Sequence, residues 1–149
     1  MSSVQVEPRP CRVLIVEDDE DDVFLFQRAL DHARRAFDCK IACEHARDGL
    51  DALYMVSRED LTEALPDAVV LDLNMPRLGG VEFLRSLREA LRLKNVPVFV
   101  LTTTTAVSIH EEAMRAGADR IFVKPNDAET LAAIAGEIVR SACAEARRA

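Results

Sequence analysis

No apolar stretch in the 149 residues approaches the roughly eighteen needed to cross a bilayer, and the N-terminus, with Pro8 and Pro10, has no apolar segment of a signal peptide. A membrane partner is not expected, and the cytoplasm is the expected location. Basic clusters are scarce. Arg147-Arg148 stands near the end, with Arg140 and Lys124 too distant to extend it, and the net charge is −7 with a pI of about 5.0. That balance excludes the basic footprint a nucleic acid requires. The cysteines, Cys11, Cys39, Cys43 and Cys143, include no C-x-x-C pair. Zinc ligand sets come as close pairs, so the reading is buried, reduced thiols acting as small hydrophobes. His32, His45 and His110 fall on separate segments and are read neither as ligands nor as catalytic bases. There is no internal repeat and no low-complexity tract.

What is present is 49% hydrophobic residues, enough for one sizeable core in one domain. Residues 1–10 read as a polar, proline-containing tail and 11–149 as a single domain. Short apolar runs alternate with amphipathic segments, the rhythm of a parallel sheet. Strands are predicted at Val13 to Val16, Lys40 to Ala46, Ala68 to Leu71, Val96 to Leu101 and Ile121 to Val123. The first helix is expected from about Asp21, with Val23, Phe26, Leu30 and Ala33 on one face. A short second helix covers Leu50 to Val56, and a third follows Gly79-Gly80 with Phe83, Leu84, Leu87 and Leu91. A fourth spans Ala106 to Ala116 and is closed by Gly117 in a left-handed cap. The fifth runs from about Ala128 to Arg140 or beyond. Five strands and five helices in alternation predict an α/β, doubly wound five-stranded parallel sheet of the flavodoxin-like class.

Four strands end in polar residues: Glu17-Asp18-Asp19, Asp72, Thr102 and Lys124-Pro125. In a parallel sheet these ends share one edge, where open α/β folds place their ligands. Two unit charges about 4 Å apart cost on the order of 1 kcal/mol in water and about 4 kcal/mol at an effective dielectric of 20. Glu17, Asp18 and Asp72 therefore call for a cation, and Mg²⁺ suits oxygen ligands of this kind. Glu20-Asp21-Asp22 reads as a solvated run. Asp72 can act as a carboxylate nucleophile toward phosphorus. Thr102 can donate to a phosphoryl oxygen and Lys124 can pair with another. A threonine after a strand is also a common helix cap, and Thr105 is available for that role. Lys124-Pro125 invites a cis peptide that would turn the ammonium inward.

Val16-Glu17-Asp18-Asp19, Leu71-Asp72-Leu73-Asn74-Met75-Pro76, Gly80, Leu101-Thr102-Thr103, Ala116-Gly117-Ala118 and Val123-Lys124-Pro125 follow one another in the order of a known family. Over about residues 11–140 the chain resembles the response regulator receiver domain of the CheY-like superfamily. The resemblance implies a two-component phosphorelay protein, not an enzyme beyond its own phosphorylation and dephosphorylation. Asp72 would accept phosphate from a histidine kinase. Mg²⁺, or Mn²⁺ in its place, would be held by Glu17, Asp18, Asp72 and the Asn74 backbone carbonyl, while Thr102 and Lys124 would bind the phosphoryl group. The stretches Asp18 to Asp22, Ala46 to Leu53 and Asp72 to Pro76 are similar to the single-domain regulators that accompany bacterial phytochromes, which implies a bacteriophytochrome as kinase. Ile121 departs from the family pattern, standing where many receivers carry the Tyr or Phe of a rotamer switch, and Phe122 points to the opposite face.

The chain ends in or just after the fifth helix, so output through a surface rather than an effector domain is expected. Leu131, Ile134, Ala135 and Ile138 make a core face of that helix. Ala132, Gly136, Val139 and Cys143 form a second stripe, in which Gly136 either permits close approach or is merely tolerated. A homodimer through the fourth helix, fifth strand and fifth helix is the expectation. A dehalogenase-like phosphatase is disfavoured because Asn74 stands where its general acid would be. The remaining alternative is a degenerate receiver that binds partners without phosphate.

Overall fold

The structure, a computed structural model, describes residues 9–148. Of the predicted tail over 1–10, all but Arg9 and Pro10 lies outside the described residues. The element order is β1 (Cys11–Val16), α1 (Glu20–Arg34), β2 (Ile41–Ala46), α2 (Gly49–Leu61), β3 (Ala68–Leu71), α3 (Gly80–Arg85), β4 (Val98–Thr102), α4 (Val107–Ala116), β5 (Arg120–Val123) and α5 (Ala128–Arg148). All pairings are parallel, in the spatial order β2-β1-β3-β4-β5. This is the doubly wound order predicted from the alternation.

Strand pleating divides the core. Leu14, Val16, Val69, Leu71, Val98 and Val100 face α2, α3 and α4, while Val13, Ile15, Val70, Phe99 and Leu101 face α1 and α5. Ile121 packs with the first group and Phe122 with the second, as the alternation requires.

Helix ends follow local chemistry. Asp19 caps α1, its side chain accepting from the backbone N–H of Asp21 and Asp22, and the acids of the first turn suit the helix dipole. Asp48 caps α2 by accepting from Asp51 N–H at 2.9 Å. The polar stretch after Val56 continues that helix to Leu61, beyond the predicted end. Gly117 closes α4 at φ 114°, the left-handed cap expected of it. At the start of α4, however, Ala106 is the cap residue and no side chain serves, so Thr105 does not take that role.

The third helix is interrupted. After Arg85 a π-turn covers Ser86–Ala90, with Leu91 N–H donating to the Ser86 carbonyl at 3.0 Å. Arg88 ends this segment by donating to the carbonyls of Leu93 at 2.7 Å, Val96 at 2.8 Å and Gly117 at 2.9 Å. One guanidinium thus ties the end of the third helix to the entry of β4 and the end of α4.

Two expectations for α5 and the thiols are overturned. Val139 and Cys143 are buried against α1 and β1 rather than forming an outward stripe, because the pairs Ile134/Ala135, Ile138/Val139 and Ala142/Cys143 recur every four residues on one face. A Cβ at Gly136 would meet nothing within 4 Å, so no close approach inside the chain requires that glycine. The cysteines are not all reduced: Cys39 and Cys143 form a disulfide beside Cys11, while Cys11 is a buried free thiol as expected and Cys43 is free but exposed. Their sequence spacing hid this, since the start of β1, the loop before β2 and the last turns of α5 meet only in the folded chain.

Candidate functional site

Register builds the site. Val16 pairs with Leu71, so Glu17 and Asp72 emerge side by side from β1 and β3. Thr102 pairs with Val123, and Lys124 N–H donates to the Thr102 carbonyl at 2.8 Å. The C-terminal ends of these four strands, with Thr102 the last residue of β4, thus lie on one edge.

Glu17 and Asp72 are buried, and carboxylate oxygens of Glu17, Asp18 and Asp72 lie within 4.8 Å of one another. Asp72 accepts from Leu73 N–H at 2.8 Å, and Glu17 accepts from Asp18 N–H at 3.0 Å. The Lys124 ammonium reaches into this group. It is hydrogen-bonded to Glu17, donates to Asp22 at 2.9 Å, and lies 3.7 Å from Asp72. It does so through a trans peptide, for none of the described peptide bonds is cis; the flexible lysine stem spans the gap without the expected turn at Pro125.

Electrostatics reflect this crowding. Burial and the neighbouring Asp72 charge push the Glu17 carboxyl up to about 8, and the hydrogen bond from Lys124 only partly counters them. Burial works against the charge on Lys124, but its bonds to Glu17 and Asp22 and the charge of Asp72 prevail, so the ammonium is held more tightly than an ordinary lysine's. The donor set fits a hard divalent cation: three carboxylates whose repulsion a single ammonium must balance.

The other expected residues are placed less directly. Thr102 is fully buried, and its hydroxyl accepts from Thr104 N–H at 3.3 Å rather than bonding an acid or Lys124. Asn74 is exposed on the loop above Asp72. Ile121 packs in the opposite half of the core from the α1 and α5 face.

Three features escaped the sequence reading. Asp22, taken as part of a solvated run, pairs with Lys124; its position one turn into a helix that begins at the site edge was the available signal. His45 donates from Nε2 to the Glu17 carbonyl at 2.6 Å, a consequence of β2 lying beside β1. Arg77 donates to Asp48 at 2.6 Å, holding its carboxyl below the ordinary range and fastening the loop after Asp72 to the start of α2. Gly80, already part of the family pattern, lets α3 begin against the site, since a Cβ there would stand 2.4 Å from the Asp72 carbonyl oxygen.

The model of the response regulator receiver domain matches residues 13–135, and the chain belongs to that family. It is 39% identical over 114 residues to the transcriptional regulatory protein PrrA of Mycobacterium leprae, covering 76% of this chain and 43% of that protein. It is 36% identical over 124 residues to the response regulator MprA of a Mycobacterium species, covering 83% and 48%. The chain thus spans less than half the length of these curated relatives. Among solved structures it resembles the phosphorylated cyanobacterial phytochrome response regulator RcpA, with TM-score 0.76 and 26% identity over 87% of this chain and 91% of that one. The Mn²⁺-bound response regulator Rcp1 superposes with TM-score 0.72 at 26% identity, covering 87% and 91%. Receiver domains are signalling phosphoacceptors, not typical enzymes, and they partner with histidine kinases.

Proposed function

We propose that the chain, as a single receiver domain over 11–149, accepts a phosphoryl group on Asp72 from a histidine kinase in the cytoplasm. The observation that carries this reading is the buried Asp72 carboxylate beside Glu17, Asp18 and Lys124. A carboxylate oxygen of Asp72 attacks phosphorus, the bond from phosphorus to the kinase imidazole breaks, and the imidazole nitrogen leaves with the electron pair. Glu17, Asp18, Asp72 and the Asn74 carbonyl would hold Mg²⁺ or Mn²⁺, which when bound supplies positive charge to the phosphoryl oxygens. Lys124 pairs with one phosphoryl oxygen after releasing Asp22 or Glu17, and Thr102 donates to another once its hydroxyl turns from Thr104. Gly80 and the Arg77 to Asp48 pair keep the loop after Asp72 in position.

The likeness to the phytochrome response regulator RcpA supports a bacteriophytochrome as the kinase. Exposed Val107 and Met114 on α4 and Val123 on β5 support a homodimer through α4, β5 and α5. A concentration-independent monomer mass in light scattering would defeat that dimer.

The test of the central reading is intact mass after incubation with Mg²⁺ and a small phosphoryl donor. A phosphoryl adduct on the wild type, absent from Asp72→Asn and lost with EDTA, is expected. No adduct on a folded wild type would instead favour a phosphate-independent binding module.

A further inference from the structure

At the edge of the sheet away from Asp72, Cys11 opens β1, Cys39 precedes β2 and Cys143 sits in the last turns of α5. Cys39 and Cys143 are bonded, and the Cys11 sulfur lies 2.7 Å from Cys39 and 3.2 Å from Cys143. The same three sulfurs have the grouping of a metal site when reduced, but the bond between Cys39 and Cys143 assigns them to sulfur-to-sulfur chemistry. Cys11 and Cys143 are buried, whereas Cys39 is partly exposed.

Cys39 also faces a cavity of about 510 Å³. Its wall carries Arg9, Arg34, Arg35, Lys40, Arg147 and Asp38; Arg9 pairs with Asp67 at 2.8 Å and Arg34 with Asp31 at 2.7 Å, and the five cations still outnumber these three acids. In a chain whose net charge is −7, that concentration of cations beside reactive sulfurs is an anomaly. It selects for negative charge on whatever enters.

We propose that Cys11, Cys39 and Cys143 form a thiol–disulfide exchange centre whose partner is a small anionic thiol, or its disulfide, seated in this basic cavity. In the oxidising direction the Cys39 thiolate attacks one sulfur of the anionic disulfide. Its S–S bond breaks, one thiolate leaves and takes a proton, and a mixed disulfide remains on Cys39. The Cys143 thiolate then attacks the Cys39 sulfur, expels the second anionic thiolate and closes the internal bond. Two protein thiols are thereby oxidised and one small disulfide is reduced to two thiols. Cys11 is the second resolving thiol, equally within reach of Cys39. Burial pushes its thiol up and keeps it protonated in reserve. The reverse sequence reduces the protein. The internal bond fastens the end of α5 to the loop before β2, so its state acts on a different element from Asp72.

Cys43, on the outer strand β2, is an exposed residue whose thiol is nevertheless pushed up to about 11 by burial, so it serves as a slow internal control compared between reagents. The reduced full chain is exposed to oxidised glutathione or to cystamine, an anionic and a cationic disulfide. Reaction at Cys39 and at Cys43 is then read by alkylation and peptide mass mapping. The Cys39 to Cys43 ratio should be at least about tenfold higher with oxidised glutathione at low salt. High salt and the Arg34→Glu/Arg147→Glu variant should each erase that preference. The Cys11→Ser/Cys143→Ser variant should retain the mixed disulfide on Cys39. Equal ratios for the two reagents in the wild type would overturn the proposal, as would reaction at Cys43 alone. So would a one-to-one zinc complex of the reduced chain that resists excess oxidised glutathione.

Discussion

The two edges of the sheet store reactivity in opposite ways. At the C-terminal edge, Glu17, Asp18, Asp22 and Asp72 surround one ammonium, so charge is left uncompensated and open to a cation. At the N-terminal edge, cations surround three sulfurs, two of which are already joined. The upper edge therefore answers to charge and phosphorus, the lower to electrons and sulfur. They sit at opposite ends of the same strands, β1 running from Cys11 to Val16 and on to Glu17. A perturbation of one edge should leave the chemistry of the other intact.

Asp72→Asn is the sharpest division of the two. Phosphoryl uptake should vanish, while the rate of Cys39 oxidation stays within about twofold of wild type, because no contact links Asp72 to the cysteines and distant sites behave independently. Intact mass and thiol mapping on the same sample read both. Breaking the lower edge should act on stability instead. The bond between Cys39 and Cys143 closes a loop with a sequence separation of 104, for which chain entropy gives about 4 to 5 kcal/mol. A reductant in thermal melts should lower Tm by roughly 15 °C for a domain of this size, with phosphoryl uptake retained at temperatures where the reduced chain is folded.

The difference between the edges also explains what could be read in advance. Glu17, Asp72 and Lys124 each follow an apolar run directly, and a parallel sheet forces such residues onto one edge whatever the helices do. The lower edge has no such rule. Cys39 lies in a loop and Cys143 near the end of a helix, and only the packing of α5 on α1 and β1 brings them to Cys11. Similarly, Ala132, Gly136, Val139 and Cys143 were assigned one face at helical spacing, but Val139 and Cys143 belong to the core-facing side. The recurrence of Ile134/Ala135, Ile138/Val139 and Ala142/Cys143 makes one wide apolar face, which the sequence reading divided into two stripes. The π-turn at Ser86–Ala90 was hidden because Leu84, Leu87 and Leu91 keep a helical spacing through it.

Gly80→Ala tests how tightly the upper edge is built. The added methyl would stand 2.4 Å from the Asp72 carbonyl and 2.8 Å from Leu73 Cα, both backbone atoms, so α3 must withdraw. Overpacking of this kind costs about 1 to 3 kcal/mol. Denaturant melts should register that loss, and slower phosphoryl uptake should accompany it. Gly136→Ala, with open space at its Cβ, should instead stabilise α5 by up to about 1 kcal/mol.

The smallest effect is the most specific to charge. The Glu17 carboxyl is pushed up to about 8 from an ordinary value of 4.5, so the folded, metal-free chain binds this proton more tightly than the unfolded chain does. Its contribution to stability therefore falls as pH rises from about 4.5 toward 8, the reverse of a carboxylate whose value is depressed. Lys124 is held charged throughout that window and adds no slope of its own. A divalent cation must displace the Glu17 proton, so Mg²⁺ affinity should climb with pH below about 8 and level off above it. The climb is at most about tenfold, or 1.4 kcal/mol, per pH unit. Calorimetric titration of Mg²⁺ across pH 6 to 9 in two buffers of different ionisation enthalpy would count the released proton. Glu17→Gln should abolish the slope, and cysteine oxidation state should leave it unchanged. A slope that disappears on reduction would mean the two edges are coupled through β1 after all.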